Sequence, residues 1–137
     1  MAKRIELDND IYIGSNSIAH GRNRLSDELY DSGWQTLTLE SGFQQVGWNP
    51  LKIRKRNSIV QIIGMIDITS MTSWLKTIAY LPSGFKPDNE INVVCRNANG
   101  GLAIIGITSQ GIIWLNQDGV GDISSGVIVL SATYIAA

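Results

Sequence analysis

The feature that most constrains this chain is a set of strand-like runs that are apolar on both faces. In Val127 to Ile135, Val127 and Val129 fall on one face, and Ile128, Leu130, Ala132 and Tyr134 on the other. Leu102 to Ile107 divides the same way, with Leu102 and Ile104 opposed to Ala103, Ile105 and Ile107. In Ile59 to Thr69, Val60, Ile62, Gly64, Ile66 and Ile68 share a face, and the opposite face is also mostly apolar. Alternating side chains belong to strands, and a strand in a two-layer sandwich normally keeps one face wet. A domain of this length cannot cover both sides of so many strands, and an exposed apolar patch of that extent is adhesive. The pattern predicts that one face packs against identical neighbours about a symmetry axis.

The remaining signals agree with an all-β fold. Leu51 to Arg56 alternates, with Leu51 and Ile53 on one face and Lys52 and Arg54 on the other. Asn57-Ser58 is a tight turn, and Ser109-Gln110-Gly111 marks a hairpin between Leu102–Thr108 and Ile112–Leu115. Further strands are expected over Trp34–Leu39, Trp74–Leu81 and Ile91–Cys95, about eight in all, with no long amphipathic helix. Fourteen glycines fit a turn-rich β protein. The expected class is a jelly-roll-like antiparallel β-sandwich over residues 34–137. Residues 1–33 are polar and charged, with one β-like stretch at 10–14 and a short helical turn near 26–30. They hold too few apolar residues for a core of their own and read as a neck, arm or attachment segment.

Composition narrows function by exclusion. With 11 basic and 12 acidic residues the formal charge is -1, which argues against a nucleic-acid footprint. The local exception, Lys52, Arg54, Lys55 and Arg56, reads as an exposed strand end. Cys95 is the single cysteine, so no internal disulfide forms, and it reads as a small core residue distant in sequence from the single histidine, His20. The N-terminus has no apolar signal core, and no stretch approaches the ~20 apolar residues that cross a bilayer. Synthesis in a cytoplasm without membrane insertion is therefore expected. The carboxylates Glu40, Asp67, Asp88, Glu90, Asp118 and Asp122 form no motif that pairs them for hydrolysis, so no enzyme is expected. Asp118-Gly119 and Gly121-Asp122 lack the spaced oxygen ligands of a calcium loop, so no metal or cofactor is expected.

Several segments carry a family likeness. Trp34-Gln35-Thr36-Leu37-Thr38-Leu39 opens the domain, and Lys52-Ile53-Arg54-Lys55-Arg56-Asn57-Ser58-Ile59-Val60 follows. Then come Leu81-Pro82-Ser83-Gly84-Phe85-Lys86-Pro87, the Asn99-Gly100 turn and the hairpin Ile105 to Ile113. In this order they resemble the C-terminal head domains of tail fibre and baseplate receptor-binding proteins of phages of Gram-positive bacteria. The resemblance spans about residues 34 to 137 and departs in detail over Val127 to Ala137. It implies a homotrimeric head on a virion that attaches to host cell-wall saccharide, teichoic-acid-like or polysaccharide. It also implies that the N-terminal segment joins other tail or baseplate proteins. The alternative is a structural trimeric tip or connector without glycan binding.

A saccharide site needs a flat aromatic face and planar side chains that exchange hydrogen bonds with hydroxyls. Arg96, Asn97 and Asn99 would supply hydrogen bonds and charge, with Arg96 suited to a phosphate. Trp114 or Trp48 would supply the stacking face, and Asn116 and Asp118 would contribute from the same hairpin end or a neighbouring subunit. Multiple copies would gain affinity by engaging several such sites together.

Overall fold

The computed structural model describes residues 30–70, 75–98, 100–116 and 125–137. The chain divides into two units, Met1–Asp31 and Ser32–Ala137, and every strand among the described residues belongs to the second. The strands are β1 (Gln35–Thr36), β2 (Phe43–Gln45), β3 (Lys52–Arg56), β4 (Ile59–Ile68) and β5 (Leu75–Tyr80), then β6 (Ile91–Asn97), β7 (Leu102–Ile107), β8 (Ile112–Asn116) and β9 (Gly126–Ile135). No helix occurs among the described residues. The stretches at 10–14 and 26–29 and most of the glycine-rich loop, 117–124, lie outside them.

All pairings are antiparallel, in the order β1-β3-β4-β9-β6-β7-β8-β5, with β2 also on β4. One nine-stranded sheet curls on itself to give the sandwich-like interior, where separate sheets were expected. β6 and β9 share only the pairs Arg96–Val129 and Asn97–Ile128, so the sheet is free to bend at that seam. The far ends meet where Leu39 bridges Ala79 and the Glu40 N–H donates to the Ile78 carbonyl at 2.8 Å.

Alternation sorts the side chains between core and surface. Val60, Ile62, Ile66 and Ile68 of β4 face inward, as do Ile128, Leu130, Ala132 and Tyr134 of β9. Ala103, Ile105 and Ile107 of β7 and Ile113 and Leu115 of β8 close the core. Burying each large aliphatic side chain contributes about 1.5–3 kcal/mol against the entropy of ordering the chain. Cys95 is buried among them, as its sequence context implies.

Two devices hold the curl. β2 and β3 form one strand interrupted by the excursion 46–51, which crosses β4 at Gly64. Gly64 has φ +141, and a Cβ there would overlap the Pro50 carbonyl oxygen. Gln45 closes the gap from inside, its Nε2 donating to the Leu37 carbonyl at 2.6 Å and its Oε1 accepting from the Leu51 N–H at 2.7 Å. The second device is the Leu81–Pro87 box. Its Leu81 N–H donates to the Gly111 carbonyl at 2.8 Å, Phe85 is buried, and Pro87 bridges Ala136. The Tyr134 hydroxyl donates to the Phe85 carbonyl at 2.6 Å, while Lys55 Nζ donates to the Gly84 carbonyl at 2.8 Å. The box is therefore a strap that binds the last strand to one end of the curled sheet.

Candidate functional site

The β7–β8 hairpin builds a flat aromatic surface. Its turn is fixed by the Gly111 N–H on the Thr108 carbonyl at 3.0 Å and the Ile112 N–H on Thr108 Oγ1 at 3.1 Å. That turn sets Ile107 opposite Ile113 and hence Gly106 opposite Trp114. Both residues point away from the core, and the six-membered ring of Trp114 lies on Gly106, where any Cβ would overlap Cζ2 and Cε2. A glycine lets the indole lie close against the sheet, and an aromatic neighbour covers the glycine in return. Trp114 is half-buried in that position.

Polar and apolar groups surround the ring on the same face. Asn116 follows two residues along β8, about 7 Å away by strand geometry, opposite Ile104 on one side and Leu75 on the other. Thr77 pairs with Trp114 from β5. On β6, Val94 pairs with Ile104 and is 64% exposed, and Arg96 pairs with Leu102 and projects into solvent. The arrangement can stack an apolar ring face and hydrogen-bond at its rim, with one guanidinium two strands away.

The other expected site residues fall elsewhere. Asn97 is 1% exposed and turns inward at the end of β6, its Nδ2 donating to the Ser125 carbonyl at 3.2 Å. Its backbone carbonyl accepts from the Gly100 N–H at 2.9 Å, so it serves the β6–β7 turn. Trp48 is 78% exposed on the β2–β3 excursion, an element that shares no strand ladder with β8. Asn99 and Asp118 lie outside the described residues, as does Trp74. Trp34, which opens the domain, is 40% exposed beside β3, with Lys52 Nζ 5.3 Å and Arg54 Cζ 5.6 Å from its ring.

Titratable chemistry is sparse. Burial pushes the Cys95 thiol up to about 11 and raises the Tyr134 hydroxyl well above the usual tyrosine range. No cluster of three or more His, Cys, Asp or Glu able to hold a metal occurs among the described residues. Among the same residues no helix is long and apolar enough to cross a membrane.

No protein-family model and no curated protein sequence matches the chain. Solved structures do. The head domain of the lactococcal phage bIL170 receptor-binding protein matches with a TM-score of 0.61 and 15% identity, over 76% of this chain and 97% of that one. The receptor-binding protein of Listeria phage PSA matches with a TM-score of 0.63 and 19% identity, over 90% of this chain and 76% of that one. Both come from phages of Gram-positive bacteria, and the resemblance read from the sequence is borne out in the fold.

Proposed function

We propose that the chain is the receptor-binding head of a phage tail fibre or baseplate, which attaches the virion to saccharide on the host cell wall. The single observation that carries this reading is the curled sheet shared with two phage receptor-binding proteins over most of the chain. The surface is consistent with it. Trp114 supplies a flat ring, with Asn116, Thr77 and the more distant Arg96 on the same face. On this reading the head assembles as a homotrimer, and the N-terminal segment, residues 1–33, is the neck toward other tail or baseplate proteins. Trp48, Asn99 and Asp118 remain candidate contributors, within one subunit or from a neighbour. The domain binds and does not catalyse.

The test uses the labelled full chain on candidate host cells. Decoration is expected, with loss in Trp114→Ala and partial loss in Arg96→Ala while both variants keep the wild-type circular dichroism spectrum. Failure to decorate any cell that the source phage adsorbs to would leave a structural tip or connector. The seating of Trp114 on Gly106 favours that second reading to a degree, because covering a strand glycine is sufficient reason for the residue.

A further inference from the structure

One edge of β9 is paired with β4 along its whole length. The other edge meets β6 only at Arg96–Val129 and Asn97–Ile128, and beyond that seam the two strands part. The opening closes again where Pro87 bridges Ala136 and the Ala137 N–H donates to the Lys86 carbonyl at 2.7 Å. Residues 130–135 of β9 run between the two closures, about 20 Å of strand. Burial changes at the same place. Val127 and Val129 are half-buried beside β6, whereas Ser131 and Thr133 of β9 and Asn92 and Val94 of β6 are exposed. The core is thinner there as well. Ile91 and Val93 face inward but are only partly covered, while their β7 partners Ile107 and Ile105 are fully buried.

The register fixes which backbone groups point into the opening. In an antiparallel ladder, successive residues turn their N–H and C=O to opposite sides. The Ala136 N–H donates to the Ser58 carbonyl at 2.8 Å, so the even-numbered residues of β9 bond β4. The Ala98 N–H donates to the Val127 carbonyl at 2.8 Å, so the odd-numbered ones turn toward β6. Ser131 and Thr133 therefore aim both backbone groups into the opening. On β6 the Asn97 N–H donates to the Gly101 carbonyl at 3.2 Å, which gives the odd-numbered residues to β7 and turns Asn92 and Val94 toward the opening. Open strand edges are ordinarily guarded by shortness, charge, proline or a covering segment. The ends of this sheet follow that rule, since β1 is two residues long and β5 is met by Leu39. Residues 130–135 of β9 and 91–95 of β6 hold no charged residue and no proline.

We infer that this opening receives a short extended segment of another polypeptide, which adds to β9 as a strand. Its backbone bonds Ser131 and Thr133, and its small apolar side chains cover Ile91 and Val93. An extended backbone is the complement of alternating N–H and C=O groups along an edge, and the uncharged walls call for uncharged side chains. The closures at both ends admit a loose segment and exclude the edge of a folded sheet. β9 of a second copy lies in an opening of the same kind and cannot reach in. The site is separate from the Trp114 surface and does not depend on a saccharide ligand.

The test is amide hydrogen exchange of the full chain, read residue by residue by NMR, with an acetylated and amidated hexapeptide of alternating valine and threonine as the probe. In the free chain the Ser131 and Thr133 amides should exchange fast, and those of Ala132 and Tyr134, bonded to β4, slowly. Saturating peptide should slow Ser131 and Thr133 at least about tenfold and leave Ala132 and Tyr134 unchanged. The same peptide N-methylated at every backbone nitrogen keeps its side chains, loses its donors and should give no protection. Thr133→Pro removes one donor from the open side without touching a bond to β4, and an edge strand tolerates proline at such a position. It should keep the circular dichroism spectrum and lose the protection of Ser131, and Ser131→Pro makes the same test on Thr133. Slow exchange of Ser131 and Thr133 in the free chain, which a second copy in the opening would also produce, overturns the inference. So does a failure of the peptide to slow them, equal protection by the methylated peptide, or undiminished protection in both proline variants.

Discussion

The pairing of Gly106 with Trp114 makes a sharp quantitative test. Gly106 lies in β7 outside the left-handed region, so an alanine there meets no backbone penalty. Its Cβ would, however, occupy the volume of the indole Cζ2 and Cε2. Trp114 must lift from the sheet, and such overpacking costs about 1–3 kcal/mol. With Trp114→Ala the obstruction disappears, and Gly106→Ala becomes favourable by about 0.5–1 kcal/mol, because alanine loses less backbone freedom than glycine. The two single substitutions and the double variant therefore form a cycle with a coupling of about 1.5–4 kcal/mol, the sum of those opposite effects. The assay is urea unfolding of all four proteins at one fixed protein concentration, followed by far-ultraviolet circular dichroism. Additivity within about 0.5 kcal/mol would refute the seated ring, since residues that do not touch behave that way.

Tyr134→Phe should lower stability at neutral pH by about 1–3 kcal/mol, because the buried Phe85 carbonyl loses its donor. The same hydroxyl titrates above its ordinary range when folded, so its contribution is intact below a pH of about 10 and is lost as pH rises from there. Urea midpoints across alkaline pH should fall more steeply in the wild type than in Tyr134→Phe, and parallel curves would count against the strap. Cys95, with its thiol pushed up to about 11 by burial, should resist iodoacetamide in the folded protein and react readily in denaturant. Equal labelling rates by mass spectrometry would contradict its position in the core.

Much of this architecture can be counted off the sequence, and the failures have identifiable causes. Alternation placed Val60, Ile62, Gly64, Ile66 and Ile68 on one face because β4 is ten residues long and regular. The same alternation places Arg96 and Asn97 on opposite faces, so the expectation that both meet one ligand conflicted with a rule already in use. The buried Asn97 is the result. Gly106 was missed for want of one further step, since the Ser109–Gly111 turn fixes the register that sets it opposite Trp114. β2 was not legible at all. Phe43-Gln44-Gln45 is three residues long, and what makes it a strand is its pairing with Ile66–Ile68 and the grip of Gln45 on Leu37 and Leu51. The Leu81–Pro87 box, by contrast, was recognised as a motif without its physical reason, which is the strap onto Tyr134.

The proposal that copies cover one another can be tested on the outer face of the sheet. The inner faces of the strands are consumed by the core of one chain. The outer face still exposes Val94 at 64%, Leu75 at 50% and Leu102 at 44%. A single chain in water has no reason to object to a charge at Val94, and Val94→Glu should then alter stability by only about 0.5 kcal/mol. If a second copy lies over β6 and β7, the same substitution places an unpaired carboxylate in an apolar contact, at a cost of several kcal/mol. Multi-angle light scattering should give a trimer mass for the wild type and a smaller species for Val94→Glu, with the circular dichroism spectrum of the sheet retained. A Glu variant with unchanged mass would mean that this apolar face is not where the copies meet, and a wild type that runs as a monomer at micromolar concentration would refute self-association itself.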